Sequence, residues 1–180
     1  MLTAVSAKNL SASRFRFTII ASQYNAKYVD AMLDAAQAEL TRARAKLVQV
    51  VRVPGAYEIP IVAAELARQR RSGQEGAPDA ILCLGVILRG ETVHAAHIGE
   101  AVSRALMQLQ IDFRVPIIHE VLLLENEEQA KARCLGQKHN RGAEAAQTAI
   151  SMAEVMYAVS RRELSELESA ASEAPVHKAD

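Results

Sequence analysis

Residues 80–88 read AILCLGVIL, nine consecutive apolar residues with no polar face. A strand at a protein surface alternates in polarity and a surface helix keeps a polar stripe. A run this even fits a strand covered on both sides, the position taken inside a parallel sheet flanked by helices. The same run falls well short of the roughly 20 residues needed to cross a bilayer.

Three other segments read as strands: RFRFTIIAS ending at Ser22, LVQVVRV over 47–53 stopped by Pro54-Gly55, and VPIIHEVLLL over 115–124. Helical spacing fills the intervals. Met32, Leu33, Ala36 and Leu40 mark a helix from Lys27 to about Lys46, and IVAAELARQRR marks a second after Pro60. Ile98, Val102, Ala105, Leu106 and Leu109 form the stripe of a third. NEEQAKAR begins a fourth, and Ala146, Ala149, Ile150, Ala153, Met156 and Tyr157 mark a long fifth. Strand and helix alternating in this way predict an α/β fold, a parallel sheet between helices joined by right-handed crossovers. At 180 residues, half of them hydrophobic, one domain is expected. Its expected extent is residues 15–162, with a flexible arm over 1–14 and a polar tail over 163–180.

Lys and Arg together number 21, as do Asp and Glu. This balance leaves no basic face for nucleic acid or an anionic membrane, so local charges must carry recognition. The first residues lack the apolar segment of a secretory signal, and Cys83 and Cys134 form neither a CxxC pair nor a disulfide framework. A soluble protein of the reducing cytoplasm is expected.

Ligands of such sheets bind at the carboxyl ends of the strands, near the point where strand order reverses. Four groups of residues reach that edge: Ser22 to Asn25, Pro54 to Glu58, Arg89 to His94, and His119 to Asn126. Gly90 suits a tight turn, Thr92 is a candidate N-cap, and the free N–H groups of the helix that follows favour an anion. His94, at the positive end of that helix, is favoured as a neutral imidazole that can accept a proton. A phosphate held beside a proton carrier is the chemistry implied. Each residue alone has a plainer reading: Glu58 as a first-turn helix charge, Tyr24 as a rim aromatic, Arg133 and Arg141 as solvated charges. His94 and His97 lack a third ligand, so no metal is expected.

Four blocks taken together carry a resemblance to a known family. VPGAYEIP, GVILRGETVH, ENEEQAKAR and NRGAEAA stand in the order and spacing of the signatures of the 6,7-dimethyl-8-ribityllumazine synthase family, which the chain resembles from about Phe17 to Tyr157. The resemblance implies a flavodoxin-like three-layer sandwich with a four-stranded parallel sheet, assembled as pentamers. It also implies a transferase of riboflavin biosynthesis that condenses 5-amino-6-(D-ribitylamino)uracil with 3,4-dihydroxy-2-butanone 4-phosphate, without cofactor. By resemblance Tyr24 stacks on the pyrimidine and Asn25 lines the same pocket. Ala56, Tyr57 and Glu58 serve the substrate-binding loop, where Ala56 and Glu58 hold the ribityl chain, and the backbone of Ile87 and Leu88 meets the uracil edge. Gly90, Glu91 and Thr92 wrap the phosphate, His94 shuttles protons, and Arg133 reaches in from the neighbouring subunit. The chain departs from the family pattern at Ala95, Ala96 and His97 after the catalytic-type histidine. It also has His119 where an aromatic usually covers the heterocycle, and Glu120 where glycine is common. The changes after His94 leave a second reading, a flavin- or lumazine-binding pentamer without turnover.

Overall fold

The structure, a computed structural model, describes residues 11–136 and 139–161. Its elements run β1 (Arg16–Ser22), α1 (Ala26–Arg42), β2 (Leu47–Val53), a 3-10 turn (Ala56–Glu58), α2 (Ile59–Arg71), β3 (Ala80–Leu88), α3 (His94–Phe113), β4 (Ile117–Leu124), α4 (Glu127–Cys134) and α5 (Arg141–Arg161). The four strands are all parallel in the order β2-β1-β3-β4. The run that opened the sequence reading is β3, buried at every position but its last and hydrogen-bonded on both edges.

One apolar layer lies between the sheet and α1, α4 and α5, with Phe17, Ile19, Met32, Leu40, Leu82, Leu84 and Ile150 among its members. The other lies under α2 and α3, where Ile20, Ile59, Ile81, Cys83, Val102 and Leu106 pack. Alternate residues of β3 supply both layers, which is why that strand could carry no polar face. Burial starts early: Ala12, inside the segment expected as an arm, is fully buried and its N–H donates to the Ala43 carbonyl at 2.7 Å. The first ten residues and the polar tail expected from residue 163 lie outside the described residues.

Two boundaries differ from the sequence reading. Helix α1 stops at Arg42 rather than near Lys46, because Arg44 turns left-handed (φ 60). Ala45 and Arg44 then donate back to the carbonyls of Leu40 and Thr41, closing the end without the usual glycine signal. Helix α2 begins at Ile59, which puts Pro60 in its first turn, where no backbone donor is needed.

The chain runs from β1 outward to β2, then crosses back over β1 to β3. The reversal leaves a crevice between the carboxyl ends of β1 and β3.

Candidate functional site

A cleft of about 960 Å³ opens at that crevice. The end of β1 contributes Tyr24 and Asn25, the loop after β2 contributes Gly55 to Glu58, the end of β3 contributes Val86 to Leu88, and the rim and first turns of α3 contribute Gly90, Thr92, His94, His97 and Ala101.

Local bonds hold these segments together. Asn25 occupies the left-handed region (φ 57, ψ 38), which asparagine tolerates better than most residues. Its side-chain N–H donates to the Val86 carbonyl at 2.8 Å, tying the end of β1 to β3 across the switch point. Tyr24 N–H donates to the Pro54 carbonyl at 3.1 Å, and Gln23 N–H to the Val53 carbonyl at 2.8 Å, which ties the first two loops together. Gly55 N–H donates to Glu58 Oε2 at 2.8 Å. A Cβ on Gly55 would lie 2.9 Å from that oxygen and 2.9 Å from Tyr24 Cδ2, so the glycine is what lets ring and carboxylate approach each other. A flat face, a fixed carboxylate and backbone groups at the strand ends suit a planar heterocycle bearing a polyol.

At the other rim α3 opens with His94, so the first-turn N–H groups and the positive end of its dipole lie beside Gly90 and Thr92. Two details differ from the sequence reading. Val93, not Thr92, precedes the helix, and no side chain caps it. Gly90 is not left-handed, and a Cβ there would meet open space, so nothing within the chain demands glycine at this turn. Glu91 is exposed and stands outside the cleft lining. His97, Ile98 and Ala101 line the cleft and were not expected there; their spacing of three, four and seven from His94 was the available signal. Among the described residues no three His, Cys, Asp or Glu side chains converge as a metal cage.

His119 and Arg133 are not in the cleft. His119 pairs with Cys83 in the middle of β4, and its Nε2 lies 2.8 Å from Ser103 Oγ on α3. Arg133 is exposed on α4, which packs against the opposite face of the sheet.

Glu120, next to His119, points to that opposite face. Its carboxylate lies 4.0 Å from Arg141 Nε, while Arg141 spends a shorter contact, 2.8 Å, on Glu144. Burial pushes the Glu120 acid up to about 7, because Arg141 and Arg133 attract the charge less than desolvation and Glu144 oppose it. The folded chain therefore holds a proton that the unfolded chain releases near the ordinary glutamate value, and stability falls as pH rises between roughly 4.5 and 7. The expected loss is up to about 3 kcal/mol. Glu120→Gln should abolish that part of the slope, read as the difference between variant and wild-type unfolding curves from pH 5 to 8 at fixed protein concentration. A difference independent of pH would contradict it.

Comparison with known proteins adds an independent observation: residues 14–157 match the sequence profile of the family described as 6,7-dimethyl-8-ribityllumazine synthase. The chain belongs to the lumazine synthase family. Among its relatives is the 6,7-dimethyl-8-ribityllumazine synthase of Stenotrophomonas maltophilia (strain R551-3), 40% identical over 144 residues that make up 78% of this chain and 88% of that protein. The lumazine synthase of Coxiella burnetii (strain Dugway 5J108-111) is 36% identical over 149 residues, 82% of this chain and 95% of that one. That of Xanthomonas euvesicatoria pv. vesicatoria (strain 85-10) is 37% identical over 150 residues, 82% and 94%. The lumazine synthase profile spans every element from β1 to Tyr157 of α5, and with them the whole cleft.

Proposed function

We infer that the protein is a working lumazine synthase, condensing 5-amino-6-(D-ribitylamino)uracil with 3,4-dihydroxy-2-butanone 4-phosphate, and that it does so in the cytoplasm as a ring of subunits. The observation that carries the reading is the convergence of Tyr24, Asn25, Ala56, Tyr57, Glu58, Ile87, Leu88, Gly90, Thr92 and His94 on one cleft of a chain from this family.

In this reading the pyrimidine lies between Tyr24 and the ends of β3, with its ribityl hydroxyls donating to Glu58. The phosphate sits at the amino end of α3. The amine attacks the ketone, water leaves to form the imine, phosphate is eliminated, and ring closure expels a second water. Each step moves a proton, and His94 stands at the boundary between the two substrate halves, where one imidazole can accept and return it. Arg133 of a neighbouring subunit supplies the planar fork for the phosphate.

The ring assembly is supported by what the isolated chain leaves uncovered. Tyr24 and Tyr57, which line the cleft, are 70% and 64% exposed, and Val93, just before α3, is 71% exposed. Apolar exposure of that kind beside a site marks a surface that a partner covers. Free, buried Cys83 and Cys134 agree with a reducing compartment, and among the described residues no helix is long and apolar enough to cross a membrane.

The test is direct: incubate the purified protein with both substrates and follow product absorbance and released phosphate together. One phosphate per lumazine formed is expected, and binding without turnover would favour the non-catalytic reading instead.

A further inference from the structure

Ser103 and His119 meet where α3 crosses the face of β4. Ser103 Oγ lies 2.8 Å from His119 Nε2 and 2.7 Å from the Gly99 carbonyl oxygen, and the Val121 backbone N–H donates to His119 Nδ1 at 3.3 Å. A hydroxyl touching an imidazole invites reading as a nucleophile with its base, and the Val121 donor stands against it. A backbone N–H only donates, so Nδ1 accepts, and the single proton of the neutral ring sits on Nε2. Nε2–H then donates to Ser103 Oγ, whose own proton goes to the Gly99 carbonyl. In that tautomer no lone pair on the ring is left to take the serine proton, and the serine serves as acceptor rather than nucleophile. Burial lowers the proton affinity of His119 by more than a contact of the ring with its own backbone raises it, which favours the neutral state.

What the arrangement does provide is orientation. Both ring nitrogens are occupied from within the chain, so the partly exposed imidazole has only its faces and carbon edges to offer a ligand. We propose that Ser103 is a positioning residue that holds His119 as a flat stacking plate for the heterocyclic substrate, with no ring nitrogen free for recognition. The proposal rests on the reading that His119 covers the aminouracil in the assembled ring. It explains how an imidazole can stand where the family resemblance implies an aromatic: the serine satisfies the polar edge that would otherwise call for water or a ligand group. Val121, a main-chain donor, does the same for the other nitrogen and needs no particular side chain.

The test uses wild type, Ser103→Ala, Ser103→Thr, His119→Phe, His119→Ala and the Ser103→Ala/His119→Phe double variant, each as the assembled enzyme, with KM measured for both substrates. Ser103→Ala should raise KM for the aminouracil about fivefold, the worth of one neutral hydrogen bond, and leave kcat and the KM for the butanone phosphate within about twofold. Ser103→Thr keeps the hydroxyl and should restore the wild-type value. His119→Phe should bind the aminouracil at least as tightly as wild type, and adding Ser103→Ala to it should change nothing further. If Ser103→Ala raises KM by the same factor in both backgrounds, Ser103 acts elsewhere and the proposal falls. If His119→Ala leaves the aminouracil KM unchanged, it is the premise about His119 that fails.

Discussion

Gly142→Ala should cripple folding. An alanine Cβ at this position would stand 1.8 Å from the Met32 carbonyl oxygen and 2.5 Å from its carbon, so the obstacle is backbone and no rotamer change relieves it. Helix α5 lies against α1 through Gly142 and the fully buried Ala145, Ala146 and Ala149, a row of small side chains facing Met32 and Ala36. Asn140 fixes the approach: its Oδ1 accepts from Gly142 N–H at 2.8 Å and its Nδ2 donates to the Ala31 carbonyl at 3.4 Å. Separating the two helices by even part of an ångström loosens the whole layer on that side of the sheet, and overpacking of this kind costs about 3 kcal/mol or more. Urea unfolding should show the loss, with soluble yield falling in parallel. Gly90→Ala is the matched control, since a Cβ there meets nothing within 4 Å. It should leave stability within about 0.5 kcal/mol of wild type. Equal stability of Gly142→Ala and wild type would mean that the helices can part at little cost.

Much of this was legible in the chain itself. The strands declared themselves through apolar runs bounded by turn residues, and β2 spans the residues 47–53 read from the sequence. The expected parallel sheet followed from alternation alone, because helices between strands leave few other connections. Misreadings came where a main-chain device replaced a side-chain signal: Arg44 closes α1 in the left-handed conformation that glycine usually takes, and Val93 opens α3 with no capping side chain. The cleft was legible for a similar reason. Tyr24, Glu58 and His94 sit in the segments that follow strand ends, and a parallel sheet carries all its carboxyl ends to one edge. Arg133 was legible as part of a family motif and His119 as a departure from one, but neither as a neighbour of the cleft. β4 is an edge strand and α4 packs on the opposite face, so motif order says nothing about which copy of the chain such residues serve. The Ser103–His119 contact is sixteen residues apart in sequence and had no signal at all.

The proposed function divides the site between copies of the chain. His94 lines the cleft and Arg133 lies outside it on the same chain. His94→Ala, which removes the proposed proton carrier, should lower turnover by about 10²-fold in homogeneous assemblies while leaving a residual rate from alignment of the reactants. Arg133→Ala, which removes the proposed phosphate fork, should be poor as well, chiefly through weaker binding of the butanone phosphate. If one subunit provides His94 and the next provides Arg133, co-refolding the two variants in equal amounts creates interfaces that inherit both intact groups. In a head-to-tail ring about a quarter of interfaces do so. The decisive measurement is lumazine formation by such mixed rings beside the same variants combined without subunit exchange. Recovery of about a quarter of wild-type activity in the first, and none in the second, is the predicted result; mixed rings no more active than the separate variants would contradict a site shared between subunits.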